Sequence, residues 1–380
     1  MEDMANPFVY GSSVTGDDFV DRDEELANIE RELRSGISVI LYSHRRMGKT
    51  SLMCELARRK PKGLVFAFID LYGVTSTERL LEQIVSKSAV ACLGGVERFA
   101  MSAWSLFRST RLRLAVTPEG ELAVDFVRGG PTVAETADAL DMPERLASSK
   151  GKRLVVVFDE FQEVSVLGGV SLLKTMRSRF QHHRNVSYVF SGSKVHLLRQ
   201  IFEEHEGAFY KSGVSVDLGP IGVEPFSEFI VRKFRLEGGK ISKDLARALV
   251  QRTGGHPYYT QQLAHELWSI SNAPSGTLEL DEAMERAMEH QALAYLYVWE
   301  SMKSPVQKRL LLALASEPEP TMGVDFILRH RLLSRSHVQR AEGHLVERGL
   351  IERGHVVDPM FAAWLRRMSG LTLPSTRKNG

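Results

Sequence analysis

The residues best suited to chemistry lie in the stretch "LYSHRRMGKTSLM", Leu41 to Met53. The apolar run "SVILYS" before its centre predicts a strand, and the residues from Thr50 to Arg59 predict a helix. A loop between a strand and the start of a helix directs backbone N–H groups at an anion, and the helix dipole favours negative charge at the same point. The string Gly48-Lys49-Thr50 at the end of this loop therefore predicts phosphate binding.

The loop residues have distinct expected roles. Lys49 is expected to reach the β and γ phosphates, and the Thr50 hydroxyl to ligate Mg²⁺. Gly48 suits a place where the backbone approaches phosphate closely, and Ser43 stands at the outer turn, where glycine is usual but not essential. The positions predicted to contact the nucleotide are Ser43, Arg45, Arg46, Met47, Gly48, Lys49, Thr50 and Ser51, with the Arg45 and Arg46 side chains facing solvent or a neighbouring subunit.

A second group of reactive side chains is the acidic pair Asp159-Glu160 in "RLVVVFDEFQEV". The apolar run before it predicts a buried strand. At the end of that strand Asp159 could hold magnesium through water, and Glu160 could orient or deprotonate the water that attacks the γ-phosphate. By itself the pair could equally be a helix-capping turn. Together with the upstream loop it predicts a nucleotide site in which Lys49, Asp159 and Glu160 are catalytic.

Two further segments offer weaker candidates. The stretch "FSGSK" predicts a third strand end beside the acidic strand, where Ser191 or Ser193 could sense the γ-phosphate, although it could also be an ordinary turn rich in Ser and Gly. Lys211 in "FYKSG" could contact the γ-phosphate in place of an arginine, or could be a surface lysine.

The elements that must position these residues follow from the apolar runs. "LVFAFIDLYG", "RLVVVFDE" and "VSYVFSGS" are continuous and are separated by segments able to form helices, which favours parallel strands covered on both faces. The predicted fold class is therefore α/β with a mostly parallel sheet. An insertion at about residues 94–150 contains "TRLRLAVTPEGELAVDFV", which predicts a β-hairpin turning at Pro118-Glu119-Gly120.

The second half of the chain is predicted to be helical. Ser227 to Trp268 forms a helical segment broken at Gly238-Gly239 and Gly254-Gly255. From Pro305 three helical runs are followed by the hairpin-like "GLIERGHVVDP", a pattern typical of a winged helix-turn-helix. Its recognition helix would begin near Ser334 and offer Arg335, His337, Gln339 and Arg340, and the short wing would add Arg353 and His355.

Charge does not decide what this module binds. Residues 301–370 contain eleven Lys and Arg against seven Asp and Glu, a mild excess for a DNA reader. Docking to protein therefore stays open beside DNA binding. In "DPMFAAWLRRM" Phe361, Trp364 and Leu365 share one helical face and are expected in a core.

Composition excludes several classes of protein. The chain of 380 residues is 43% hydrophobic and 25% charged, which is typical of a globular protein with two or three cores. Two cysteines cannot build a disulfide framework or a four-ligand zinc site. The net charge of +2 gives no overall attraction to nucleic acid, and no apolar run approaches the roughly 18 residues of a membrane span. We expect a soluble, cytoplasmic protein that makes no use of a membrane, with a frayed tail, "LPSTRKNG".

Several motifs, taken in order, resemble one family. The segments "NPFVYG", "FVDRDEEL", "VILYSHRRMGKTSL", "VVVFDEFQEV", "FSGSKVHLL", "GAFYKSG" and "TGGHPYYTQQLAHELW" are similar to the archaeal-type ATPases of the STAND branch, relatives of AAA+ proteins. The resemblance runs from about Asn6 to Trp268 and more loosely through the winged-helix end. In this family the loop often opens with Ser, as Ser43 does here, whereas His44 and Asp21 replace the more usual proline and glycine.

The resemblance implies a P-loop NTPase core of AAA-like type, a helical lid and a winged helix. The implied domains are the core at 1–222, with an adenine-side segment at 6–26, the lid at 223–300, the winged helix at 301–370 and a tail at 371–380. Phe19, Val20 and Arg22 would lie near adenine, and His256 and Pro257 would reach the nucleotide from the lid. From the residues alone, that Gly-Gly-His-Pro turn could simply break a helix.

The sequence thus predicts an ATP- and Mg²⁺-dependent switch ATPase, which hydrolyses slowly and whose nucleotide state controls the winged helix, an oligomeric neighbour or a protein partner. One alternative is a DNA-binding regulator or replication-initiator-like protein with a mainly structural nucleotide. A phosphotransferase is disfavoured by the wide spacing of Lys49 and Asp159, by Glu160 beside the metal acid and by the added winged helix.

Overall fold

The protein is described by a computed structural model that covers residues 5–93, 110, 112–116, 122–125, 130–317 and 322–370. The chain forms two compact units, called here the sheet unit (Ser13–Gly219) and the helical unit (Met1–Ser12 and Pro220–Gly380). The predicted turn at Pro118-Glu119-Gly120 and the tail beginning at Leu373 lie outside the described residues.

The sheet unit contains one five-stranded parallel sheet and a separate hairpin. The strands are β1 (Val39–Tyr42), β2 (Leu64–Asp70), β3 (Arg113–Val116), β4 (Leu122–Asp125), β5 (Arg153–Asp159), β6 (Val186–Gly192) and β7 (Val214–Asp217). The sheet has the order β2-β5-β6-β1-β7, and every neighbouring pair in it is parallel. The predicted mostly parallel α/β fold is confirmed.

Helices cover this sheet, as parallel strands require. They are α1 (Asp23–Arg34), α2 (Lys49–Arg58), α3 (Thr77–Leu93), α4 (Val133–Lys150), α5 (Val164–Leu167), α6 (Gly169–Phe180) and α7 (Val195–Phe202). Strand β5 shows the two-sided burial directly, because Val156 and Phe158 belong to one apolar cluster while Val155 and Val157 belong to another. This is why its sequence is a continuous apolar run rather than an alternating one.

The strand order brings three loops to one edge of the sheet. Strand β6 lies between β5 and β1, with Phe190 paired to Phe158 on one side and Gly192 paired to Tyr42 on the other. The carboxyl ends of all three strands are therefore adjacent. The phosphate loop follows β1, the acidic pair ends β5, and the Ser-Gly-Ser turn ends β6, so the prediction that "FSGSK" lies beside the acidic strand is confirmed.

The insertion contains the predicted hairpin. Strands β3 and β4 pair antiparallel, with Arg113 opposite Asp125 and Val116 opposite Leu122. Helix α4 begins after it at a capping box, in which Thr132 and Glu135 satisfy each other's backbone N–H groups.

The larger part of the helical unit begins at Pro220. Its helices are α8 (Val223–Leu236), α9 (Lys243–Arg252), α10 (Pro257–Ile270), α11 (Thr277–Glu289), α12 (Ala292–Ser301), α13 (Pro305–Ser316), α14 (Val324–Arg329), α15 (Arg335–Glu347) and α16 (Pro359–Met368). The predicted breaks are confirmed: α8 ends before Gly238-Gly239 and α9 before Gly254-Gly255.

The winged-helix prediction is also confirmed. Helix α15 begins directly after its N-cap residue Ser334, and strands β8 (Ile351–Glu352) and β9 (His355–Val356) form the short wing before α16. Phe361 and Leu365 are buried, as expected of a core face, and the ring of Trp364 stacks on that of Phe361 at 5.8 Å. In the part of the chain that the structure describes, no helix combines the length and apolar character needed to cross a membrane.

Candidate functional site

The backbone of the phosphate loop takes its shape from two left-handed residues. Gly48, the N-cap of α2, has φ +91°, and Arg46 has φ +64°. A Cβ atom at Gly48 would meet nothing within 4 Å, so the backbone angle rather than space favours glycine there. Left-handed geometry thus falls at positions 46 and 48 of the loop. Ser43 is buried, and its hydroxyl donates to the His44 carbonyl oxygen at 3.1 Å.

Lys49 is the first residue of α2 and is 6% exposed. Its Nζ donates over 3.4 Å to the Ser43 carbonyl and over 3.3 Å to the His44 carbonyl. Burial lowers the pKa of this ammonium, while the charges of Glu160 and Asp159 act to raise it. Among the described residues, two long hydrogen bonds hold this buried cation, so an anionic ligand at the loop could form stronger bonds to it.

Asp159 connects the phosphate loop to the acidic strand. Thr50 Oγ1 donates to Asp159 Oδ2 at 2.6 Å, although the two residues are far apart in the sequence. On the other side, Asp159 Oδ1 accepts from Ser191 Oγ at 3.0 Å and from the Glu160 N–H at 3.1 Å. A hydroxyl and a carboxylate are hard oxygen donors, and a site with so few protein ligands suits Mg²⁺, which keeps waters and binds phosphate oxygens.

Glu160 is held in a strained backbone conformation by a network of donors. Its φ is +54°, which is uncommon for a residue with a side chain. Its Oε2 accepts from Ser193 N–H at 3.1 Å, Ser193 Oγ at 2.8 Å and Gln162 Nε2. Burial tends to raise the pKa of Glu160, but the hydrogen bonds from Gln162 and Ser193 and the charge of Lys49 outweigh it, so the pKa is lowered.

Sequence reasoning missed two residues at this edge. Gln162 is 2% exposed and donates to Glu160; its only sequence signal is its place two residues after that acid. Asp70 ends β2 in register with Asp159, and its carboxylate accepts the Tyr72 N–H at 2.9 Å. An acid at the end of the apolar run "LVFAFID" was a visible signal for Asp70.

The segment expected near adenine lies in the sheet unit. Phe19 packs against the cluster that contains Leu26 and Leu52, and Val20 is partly exposed. Arg22 is 6% exposed and donates to Glu25 Oε1 at 2.8 Å and to the Gly219 carbonyl. These hydrogen bonds join Arg22 to α1 and to Gly219, the last residue of the sheet unit.

The other residues predicted to contact the nucleotide are His256, Pro257 and Lys211. His256 and Pro257 start α10 in the helical unit, where the His256 ring lies 4.6 Å from that of Tyr259. Gly255 before them has φ +70°, and a Cβ there would lie 2.1 Å from the Ile221 carbonyl oxygen, so only glycine fits. Lys211 Nζ lies 5.1 Å from the centre of the Tyr210 ring.

The structure therefore brings together Lys49, Thr50, Asp159, Glu160, Ser191 and Ser193. Basic and acidic groups meet at the start of a helix, beside an amide-lined turn. Such a site can bind a phosphate ester, place a divalent cation and hold a carboxylate ready for proton transfer.

Comparison with known proteins agrees with this geometry. The profile of the family described as "ATPase domain predominantly from Archaea" matches residues 19–263, and that of the family described as "Probable winged helix domain" matches residues 294–367. A comparison with curated proteins found no match.

Solved structures share the fold. The Walker-type ATPase PABY2304 of Pyrococcus abyssi is similar with a TM-score of 0.67 at 19% identity, over 95% of this chain and 99% of that one. The ORC2 protein of Aeropyrum pernix, solved as ADPNP-ADP complexes, has a TM-score of 0.52 at 12% identity, over 92% of this chain and 94% of that one. At such identities the likeness concerns the fold.

Proposed function

Because the chain belongs to the family of ATPase domains found predominantly in Archaea, we propose that it is a switch ATPase that binds ATP with Mg²⁺ and hydrolyses it slowly. The observation that carries the proposal is the 2.6 Å hydrogen bond between Thr50 and Asp159. It joins the end of the phosphate loop to the end of the acidic strand, which is the convergence that a triphosphate and its metal require.

The phosphate loop supplies binding. The backbone N–H groups around Gly48 and the start of α2 face the β-phosphate, and Lys49 contacts the β and γ phosphates. Lys49 is well suited to this because its buried ammonium would exchange two long carbonyl contacts for charge-assisted bonds to phosphate. Ser43, Arg45, Arg46, Met47 and Ser51 complete the loop.

Thr50 and Asp159 would hold Mg²⁺, Thr50 directly and Asp159 through water. When bound, the ion neutralises charge on the β and γ phosphates. Ser191 keeps the Asp159 carboxylate oriented through the 3.0 Å hydrogen bond.

Glu160 prepares the attacking water. Its lowered pKa keeps it ionised near neutral pH, so it can accept the proton of a water that attacks the γ-phosphate, giving ADP and inorganic phosphate. In the present structure the same carboxylate accepts three hydrogen bonds from Gln162 and Ser193. Release from these donors would have to precede efficient catalysis, which supports slow hydrolysis.

The nucleoside contacts and the switch complete the proposal. Phe19, Val20 and Arg22 contact the base side, Ser193 reports on the γ-phosphate, and His256 with Pro257 contacts the nucleotide from a lid. The division into core (1–222), lid (223–300) and winged helix (301–370) is part of this proposal. ATP binding then changes how the winged helix is presented to a protein partner or another copy of the chain.

Steady-state ATPase assays on wild type, Lys49→Ala and Glu160→Gln test the proposal, with size-exclusion profiles recorded in parallel. Lys49→Ala should abolish ATP binding, and Glu160→Gln should keep ATP binding while cleavage falls at least about a hundredfold. Lys62→Ala, an exposed lysine after α2, is the matched control and should behave like wild type. Unchanged ATP affinity in Lys49→Ala would sink the proposal.

A DNA-binding regulator is the second candidate, favoured by one observation. Arg335 and Arg340 are exposed on α15, and within the described residues neither forms an ion pair. His337 and Gln339 are exposed on the same helix. A recognition helix with unpaired cations can meet phosphates and base edges in a major groove.

Filter binding to duplex DNA across a salt series separates the two candidates. A specific reader should lose affinity steeply as salt rises yet keep a preferred sequence. The double variant Arg335→Ala/Arg340→Ala should then weaken binding, whereas Arg286→Ala, which removes a surface cation paired with Glu282, should not. Binding that is absent at low salt excludes the DNA candidate.

A further inference from the structure

A segment at the start of the sheet unit is hydrogen-bonded along one face of α2. The Val14 N–H donates to Ser51 Oγ at 3.1 Å, and the Gly16 N–H donates to Glu55 Oε2 at 2.9 Å. Ser51 and Glu55 are four residues apart, so they lie on the same face of the helix. Since α2 begins where the phosphate loop ends, residues 14–16 are hydrogen-bonded directly to the helix that would hold the phosphates.

Glu55 is the centre of this contact. It is 2% exposed and accepts, besides Gly16, two hydrogen bonds from Arg58 at 2.7 and 2.8 Å and one from Arg59 at 2.9 Å. A carboxylate that is buried so completely would be costly without such partners. Sequence reasoning did not single out this residue.

The Glu55 network holds the segment Phe19–Arg22 from both sides. Upstream, Gly16 is bonded to Glu55 itself. Downstream, Asp23, which follows Arg22 and begins α1, pairs with Arg59 at 2.8 Å, and Arg59 in turn donates to Glu55. The six residues between these two anchors include Phe19 and Val20, which are only partly buried and so offer apolar surface.

We propose that Glu55 is a positioning residue that holds the segment Phe19–Arg22 beside the phosphate loop, so that it sets affinity for the nucleoside part of the ligand rather than for its phosphates. The inference rests on the proposed function, in which this segment contacts the base. Loss of Glu55 frees the segment on both sides while the loop backbone, Lys49 and Thr50 remain in place.

The test compares the affinities of ATP and of inorganic tripolyphosphate, each with Mg²⁺, by calorimetry on the full chain. Glu55→Gln keeps the size of the side chain but removes its charge, and should weaken ATP binding about tenfold, the effect of one lost charge-assisted network contact. Tripolyphosphate affinity should stay within about twofold of wild type, because the nucleoside contacts do not contribute to it. Glu30→Gln is the matched control, because it makes the same change in the ion pair that Glu30 forms with Arg34 in α1. It should change neither the ATP affinity nor the tripolyphosphate affinity.

Arg59→Gln provides a second variant if Glu55→Gln does not fold. Arg59 is partly exposed and forms only the downstream connection, so the substitution should also weaken ATP binding while sparing tripolyphosphate. Equal weakening of both ligands, or no effect on either, overturns the role of Glu55. Failure of the proposed function has a different signature: Lys49→Ala would leave tripolyphosphate binding intact.

Discussion

At the scale of single residues, the state of the Glu160 carboxylate is the central feature of the site. Three hydrogen bonds converge on its Oε2, and two of them come from Ser193. Hydrogen bonds to a carboxylate stabilise its ionised form and make it a weaker base. The hydrogen bonds from Ser193 and Gln162 that keep Glu160 ionised therefore also make it a weaker base.

Ser193→Ala should raise the pKa of Glu160, because it removes the hydroxyl that donates to the carboxylate. If Glu160 is the base, the acid limb of the pH profile of kcat/KM should move up by about one pH unit, since a charge-assisted hydrogen bond is worth about 1.5 kcal/mol. Steady-state ATPase assays from pH 4 to 8 measure this. Ser193→Thr keeps a hydroxyl and should leave the limb in place; an unmoved limb in Ser193→Ala would speak against Glu160 as the base.

Glu55 should also control stability in acid. Hydrogen bonding from Arg58, together with Gly16 and Arg59, lowers its pKa from 4.5 to about 2. Because the folded-state pKa is depressed, its stabilisation is complete above about pH 4.5 and is lost as the pH falls towards about 2. The difference in free energy of unfolding between wild type and Glu55→Gln should therefore narrow by about 2 kcal/mol from pH 7 to pH 3. Urea unfolding at both pH values measures it, and a constant difference would contradict it.

At the scale of elements, the half-buried acid Asp358 fixes the start of α16 to α10 in the helical unit. Asp358 Oδ1 caps α16 by accepting from the N–H groups of Met360 and Phe361, both at 2.9 Å. Its Oδ2 accepts a hydrogen bond from the hydroxyl of Tyr259 in α10. The Tyr259 ring in turn contacts the His256 ring. The predicted nucleotide-contacting turn and the winged helix thus share a short chain of side-chain contacts.

Asp358→Ala should destabilise the helical unit by about 2 to 4 kcal/mol, because it removes both the helix cap and the hydrogen bond from the Tyr259 hydroxyl. Asp358→Asn keeps a capping oxygen and should cost less than about 1 kcal/mol; burial raises the pKa of Asp358, so removing its charge offsets part of the loss. Thermal and urea unfolding of the full chain measure both variants. Equal losses of stability in Asp358→Ala and Asp358→Asn would show that the helix cap is not the contact that stabilises the unit.

At the scale of the whole molecule, the proposed switch would require the sheet unit and the helical unit to respond to nucleotide together. The sheet unit contains the phosphate loop and the acidic pair, whereas His256 belongs to the helical unit. A ligand changes an equilibrium between states only through a difference in its affinity for them.

Limited proteolysis should give different fragments for wild type with and without ATP and Mg²⁺, since a bound triphosphate would change which connections between helices are accessible. Lys49→Ala should give one pattern under both conditions. Gel electrophoresis and mass spectrometry of the fragments report the outcome, and identical wild-type patterns would leave the switch without support.

Local sequence was sufficient to predict the strands, the loop and the winged helix. The runs before Ser43 and Asp159 are apolar because both faces of the sheet are covered, and the glycine pairs at 238 and 254 end helices through backbone freedom. Gly48-Lys49-Thr50 and Asp159-Glu160 could be singled out because the proposed phosphate and magnesium chemistry restricts which residue types suit those places.

Only the tertiary structure decided which side chains meet. The order β5-β6-β1 places Ser191 against Asp159 and Ser193 against Glu160, contacts that the sequence did not predict. Gln162 had as its signal only its place two residues after Glu160, and Glu55 only its helical spacing to Arg58 and Arg59. The bond from the Gly16 N–H to Glu55 could not be predicted, because any residue but proline can supply a backbone N–H. The order of residues in the chain limits which side chains are candidates for the site. Which of them are neighbours of a buried polar group is determined by how the helices and strands pack in space.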